Sequence, residues 1–260
     1  MLIYTFDTSP DGLLSAIFDA FSRHERPDTL IGTGEQLPLF ADNVHHVATA
    51  EDKAQRVWSG LERRLSPKAL KIITLAYLSE DQSISQHLFN YFYKVFSQPE
   101  RTTSIEQNYA DPDVLAVTNT AQRVLHERLR MMQFLRFQKA ADGTYLGVIS
   151  PDHNVLPLIT DHFRDRFGDQ PWLIYDARRH YGYYYDRKQL THVTFADGQT
   201  LPFDLATGKL NDDTLSADDK LFQELWRTYF KAICIRERIN PKKQLSDMPR
   251  RYWRYMTEKQ

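Results

Sequence analysis

The sequence predicts an α+β fold: a helical N-terminal and middle part, then a C-terminal antiparallel sheet with one packed helix and a long C-terminal helix. Three observations carry this. Apolar residues recur at helical spacing through most of residues 1–133, the period changes to two at Phe134, and the strand-like segments beyond it follow one another too closely for parallel crossovers. The expected organisation is a mainly helical part with short N-terminal strands over 1–133 and an antiparallel α+β part with a basic, aromatic tail over 134–260; the two are also compatible with one continuous domain.

The elements follow in order. Leu2 to Phe6 is short and β-prone, and Asp7 to Pro10 turns the chain into the helical spacing Leu13, Leu14, Ile17, Phe18, Phe21. Arg26 to Phe40 reads as a loop because of Gly32, Gly34 and Pro38, with a short strand at Val44 to Ala48. Helices are expected over Glu51 to Leu65, after Pro67 to Leu78, from Ser83 through Val95, and from Asp111-Pro112 to Met132. Leu135 and Phe137 alternate with polar neighbours, and Ala141-Asp142-Gly143 turns into Tyr145 to Ile149, a hairpin signal. A helix is expected from His153-Asn154 to Phe167 with Gly168 as its stop. Strands are then expected at Trp172 to Tyr175, Tyr181 to Tyr185, Leu190 to Phe195 and Thr200 to Phe203, the last two joined by Asp197-Gly198. Ser216 with Asp219 reads as a capping box for a helix through Leu221, Leu225, Tyr229 and Ile233.

Composition excludes several classes of function. With 42% hydrophobic and 26% charged residues in 260, the chain is neither disordered nor collagen-like. Its one cysteine, Cys234, allows no disulfide within the chain and no cysteine-held zinc or iron–sulfur site. No signal peptide is apparent, and no apolar run approaches the roughly 18 residues of a membrane span, so a cytoplasmic protein without membrane contact is expected. The net charge of -1 conceals a gradient: residues 1–50 hold seven acids and two bases, whereas 231–260 hold nine bases and three acids.

Three constellations bear on chemistry. Arg250-Arg251-Tyr252-Trp253-Arg254-Tyr255, preceded by Lys242 and Lys243, interleaves cations with flat rings, as a surface that contacts phosphates and stacks bases requires. The plainer alternative packs the rings and leaves the Arg heads in water. Tyr181, Tyr183, Tyr184 and Tyr185 lie beside Arg178, Arg179 and His180, and alternate rings on a strand share one face; such a face binds bases, or it simply stabilises the sheet. Asp152-His153-Asn154 and Asp176 supply a candidate general acid/base, His153, and carboxylates to orient it; the alternative is helix capping. Gly32-Thr33-Gly34 lacks the rest of a dinucleotide or phosphate-loop motif. His45 and His46, adjacent on a strand, would point to opposite faces, so no metal site is expected.

Several segments together resemble a bacterial family described as DNA repair or DNA metabolism proteins. They are Asp11-Gly12-Leu13-Leu14-Ser15-Ala16-Ile17-Phe18, Ser150-Pro151-Asp152-His153-Asn154-Val155-Leu156, His162-Phe163 with Arg166-Phe167, Trp172-Leu173-Ile174-Tyr175-Asp176 and Trp226-Arg227-Thr228-Tyr229-Phe230-Lys231. The ending Arg236-Glu237-Arg238-Ile239-Asn240-Pro241-Lys242-Lys243-Gln244, followed by Met248-Pro249-Arg250-Arg251-Tyr252-Trp253-Arg254-Tyr255, is similar to that family's closing motif, with Arg251 where Lys is frequent. The resemblance implies an association with a radical-SAM repair protein, and with uracil-DNA glycosylase superfamily domains to which relatives are fused. It implies no catalytic residues. With only Cys234, any radical-SAM cluster would reside in the partner.

The expected function is therefore a DNA-binding accessory of repair without a cofactor of its own. Lys242, Lys243, Arg250, Arg251, Arg254 and Arg179 would meet phosphates, and Tyr252 and Trp253 would stack bases. Two other readings stand beside it: an enzyme acting on damaged DNA through His153 with Asp176 or Asp152, and a protein adaptor without DNA contact.

Overall fold

The computed structural model describes residues 1–39, 41, 43–99, 105–195, 201–232 and 240–259, the side chains of residues 217, 230 and 231 excepted. The Asp197-Gly198 turn, the start of the Thr200 strand, Ile233, Cys234 and Arg236 to Ile239 lie outside these. The fold is α+β, in two compact units, Met1–Leu125 and His126–Gln260.

In the first unit, β1 (Leu2–Phe6) is the centre of a three-stranded parallel sheet, flanked by β2 (Thr29–Gly32) and β3 (Asn43–His46). Ile3, Tyr4 and Phe6 of β1 are buried. α1 (Pro10–Ser22) starts at Ser9, whose hydroxyl accepts the Gly12 N–H, and buries Leu13, Leu14, Ala16 and Ile17. β2 was expected as loop: four residues bounded by Pro27 and Gly34 give no period, and only pairing with β1 makes them a strand. His45 and His46 point apart as the strand period requires, His45 to Asp19 and His46 to the Thr5 hydroxyl. α2 (Glu51–Arg64), α3 (Pro67–Tyr77) and α4 (Gln82–Ser97) follow close to the expected bounds. The cap of α4 is Asp81, not Ser83: the Asp81 carboxylate accepts the Ser83 N–H. α5 (Pro112–Phe134), capped by Asp111, carries residues of both units.

The second unit is built on a five-stranded sheet of order β4-β5-β6-β7-β8: β4 (Phe137–Lys139), β5 (Tyr145–Ile149), β6 (Trp172–Asp176), β7 (Tyr181–Tyr185) and β8 (Leu190–Val193). The hairpin β4–β5 turns at Gly143, whose φ of 87° is a conformation glycine adopts without strain. The sheet is mixed, not wholly antiparallel, because β5 and β6 run parallel. The connection over 150–171 contains α6 (Leu156–Arg166), long enough for the crossover that parallel pairing needs. α6 begins at Leu156 with Val155 at its cap, later than expected, and ends at its C-cap Phe167, directly before Gly168.

Strand alternation sorts the two faces. Trp172, Ile174 and Tyr185 face α6, where Phe163 meets Trp172 and Phe137. The other face forms a core of Leu146, Val148, Tyr175, Phe203 and Leu210, with Tyr255 packed against it. α7 (Ala217–Ala232) forms as expected, but the Ser216–Asp219 box does not: the Asp219 carboxylate accepts the Lys139 N–H and so ties the helix start to β4. After it come α8 (Pro241–Asp247), capped by Asn240, and a 3-10 helix at Arg250–Tyr255. Among the described residues no helix is long and apolar enough to cross a membrane.

A candidate nucleic-acid interface at the carboxyl ends of β5 and β6

Because β5 and β6 are parallel, their carboxyl ends lie on one edge of the sheet, with Ile149 opposite Asp176. Such an edge is where open α/β sheets commonly hold ligands. Two connections leave it: the loop Ser150 to Val155, and the turn Ala177 to His180, which His180 closes in a left-handed conformation at φ 57°.

Asp176 organises the turn. Its Oδ1 accepts the N–H groups of Arg178 and Arg179, and its Oδ2 pairs with Arg179 Nη1 at 2.9 Å. The side chain has no exposed surface. Burial pushes the carboxyl above its ordinary range, opposed by the Arg179 guanidinium and the backbone donors. Arg179 is itself mostly buried and spans to the loop, donating to the carbonyls of Pro151 and Asp152. Both side chains are thus committed to joining turn and loop.

Glu127 holds the loop from beneath. Burial of its side chain raises the carboxyl, but the N–H groups of Asp152 and His153 and the Tyr252 hydroxyl donate to it, and the net position is below the ordinary range. Arg251 Nη2 donates to the same Glu127 oxygen at 3.0 Å and to the Tyr252 hydroxyl at 2.7 Å. Tyr252 is buried, and burial with the Glu127 carboxylate pushes its hydroxyl far up in pKa. Glu127 was not singled out from sequence, yet a signal was there: an acid three residues after buried Val124 and four before buried Met131, on the apolar stripe of α5.

Several sequence-predicted residues meet at this loop. Asp152 pairs with Arg251 Nη1 at 2.9 Å and with the half-exposed Arg178 at 3.3 Å, and Arg254 reaches the Ser150 hydroxyl at 3.4 Å. The Tyr181 hydroxyl donates to Asn154 Oδ1 at 2.5 Å. The Asp152, His153 and Asn154 side chains do not cap α6, the alternative the sequence offered, since the cap is Val155 without a side-chain bond. The half-exposed Tyr181 and Tyr183 and the exposed His192 form an aromatic patch on the α6 side of the sheet, the Tyr181 and His192 rings stacked at 5.2 Å.

The tail is more packed than its composition suggests. Tyr252 is consumed in the core, and the Trp253 indole donates to the Met248 carbonyl while Arg250 and Lys259 lie over its ring. Lys243 pairs with Asp247, and Lys242, Arg250 and Arg254 are exposed, Arg250 against the Trp253 ring and Arg254 beside Ser150. The arrangement can bind anions at these cations and stack a flat ring on the Tyr181–Tyr183 patch. Among the described residues no three or more His, Cys, Asp or Glu side chains are grouped so as to hold a metal ion.

Residues 82–258 match the model of a family described as Domain of unknown function (DUF4130). No curated protein and no solved structure matches the chain.

Proposed function

The chain belongs to this family, and from the site at the ends of β5 and β6 we propose that it is a nucleic-acid-binding accessory protein of DNA repair or DNA metabolism. The observation that carries the reading is the convergence of exposed cations and half-exposed rings about one ordered loop. Arg178 and Arg254 flank the loop, and the Tyr181–Tyr183–His192 patch is tied to it through Asn154. Cations there would hold phosphates while rings accept unstacked bases, the combination single-strand binders use. A radical-SAM repair protein remains the partner proposed from the sequence resemblance, and a location in the cytoplasm is proposed from the single cysteine and the lack of an apolar run of membrane-span length.

Fluorescence anisotropy with labelled single-stranded and duplex DNA at two salt concentrations tests the reading. Salt-sensitive binding that weakens in an Arg178 and Arg254 to Ala variant supports it; no binding by the parent protein, or binding indifferent to salt, rejects it.

One observation favours a second reading, a hydrolytic enzyme acting on a damaged base or strand end. His153 sits in the loop at the carboxyl edge of parallel strands, beside Asp152 and held through its backbone by Glu127. Asp176 serves there as a positioning residue. Product formation from deaminated-base or abasic oligonucleotides, lost in His153→Asn, would establish it; inactivity of the parent protein on these substrates would dismiss it.

A further inference from the structure

Away from that loop, the second unit holds a cavity of about 510 Å³ between the end of α5, α6 and α7. Its size is that of a small-molecule site. Phe163 on α6 and Phe167 at its C-cap line one side with their rings within 8° of parallel, and Phe222 and Trp226 on α7 line another. The α7 rings are not spent on the core: Phe222 is 62% exposed and Trp226 39% exposed. A large exposed aromatic pair at the mouth of a cavity needs a reason.

The polar groups give it a sign. Arg166 lies over the Phe167 ring, His162 meets Phe163 edge-on, and neither side chain forms an ion pair or hydrogen bond among the described residues. Arg136 stands over Trp226, fixed by a bidentate contact to Glu258, which also accepts the Trp226 indole N–H. Asp219, the one acid in the lining, is already engaged by the Lys139 N–H and the Gln223 amide. The cavity thus offers flat apolar faces, one guanidinium without an ion-pair partner among the described residues, and an imidazole. An aliphatic or cationic ligand would leave these unmatched.

We infer that this cavity binds a nucleotide unit, its base stacked against Phe222 and Trp226 and its phosphate held by Arg166 and His162. The inference rests on the nucleic-acid reading above and adds to it a second place where a base is held. The unit is either part of a DNA strand or a free deoxynucleoside monophosphate, and the two arms of the test separate these sources.

In one arm, 2-aminopurine deoxyriboside 5′-monophosphate is titrated with the full chain; in the other, a single-stranded oligonucleotide carries one central 2-aminopurine and its anisotropy is read in parallel. Stacking dims the fluorophore. Saturable dimming in either arm is expected, weakened about five- to 150-fold in Phe222→Ala and Trp226→Ala, and also weakened in Arg166→Glu. The unphosphorylated nucleoside is expected to bind more weakly. Phe222 and Arg166 are exposed, so their variants stay folded, as thermal melts would verify, even where Trp226→Ala loosens the Glu258 contact. No dimming in either arm, or dimming that these variants leave unchanged, overturns the proposal. If anisotropy shows salt-sensitive strand binding in that event, the nucleic-acid reading stands without this cavity. If the monophosphate dims and no strand binds, the cavity stands and the strand-binding reading falls.

Discussion

Glu127 and Tyr252, 125 positions apart in sequence, share a 2.8 Å hydrogen bond in which both partners are buried. The carboxylate also accepts two backbone N–H groups of the 150–155 loop, so this one contact ties the C-terminal segment to the candidate interface. Removing the acceptor leaves buried donors without partners. Glu127→Ala is expected to destabilise the second unit by about 3–5 kcal/mol, and Glu127→Gln, which keeps one acceptor oxygen, by about 1–3 kcal/mol. Urea unfolding followed by circular dichroism measures both.

The same group sets an acid limit. Its folded pKa lies below the ordinary value, so its stabilisation is complete above the ordinary glutamate range and is lost as pH falls through the lower folded value. Asp176 has the opposite sign: its folded pKa is raised, so its contribution is present below the ordinary aspartate range and lost as pH rises through the folded value. Thermal melts between pH 3 and pH 7 should show the parent protein losing more stability on acidification than Glu127→Gln, with Asp176→Asn shifting the balance the other way. Equal pH dependence in all three would contradict the assignment.

Asp176 and Arg179 are buried partners at 2.9 Å and should act as a unit. A double-mutant cycle with Asp176→Asn and Arg179→Met is expected to give a coupling of about 0.5–3 kcal/mol, the double variant costing less than the two single costs added. Additivity within measurement error would mean that each side chain acts through its backbone contacts alone.

Lys242, Arg250 and Arg254 are exposed, and replacing any one with Ala should leave stability within about 0.5 kcal/mol. On single-stranded DNA each replacement should lower the slope of log affinity against log salt by about 0.7 if that side chain neutralises a phosphate. A cation whose loss leaves the slope unchanged is not in the interface.

Tyr183→Ala should weaken single-strand binding by about 1–3 kcal/mol if a base stacks on the patch. Tyr181→Phe separates two effects: it keeps the ring and removes the bond to Asn154, so loop order falls while stacking persists. Stability measured alongside affinity distinguishes them.

Much of this was legible in the sequence because it is local. The helices from Pro10 to Phe134 follow from apolar spacing and from Pro67 and Asp111-Pro112 at two of their starts, and the β4–β5 hairpin follows from Asp142-Gly143. Asp152, Asp176 and Arg251 could be named because charged residues beside strand ends and in a basic run are conspicuous. Their mutual arrangement could not be read, since strand pairing is decided by distant partners: the antiparallel expectation for β5 and β6 missed the crossover that brings loop and turn to one edge. Tyr252 looked like a stacking ring by its neighbours and proved to be a core side chain by its bond to Glu127. A carboxylate within an apolar helical stripe was the clue, and its meaning depended on a residue more than a hundred positions away.

That separation has a consequence for synthesis. β1 and β3 can pair once residue 46 has left the ribosome, while Glu127 must wait for Arg251 and Tyr252 before its donors are complete. Through that interval a carboxylate destined for burial stands open to water, and the Ser150 loop is held by only part of its support. The part of the second unit that carries the candidate interface is thus fastened only after residue 252 has been made.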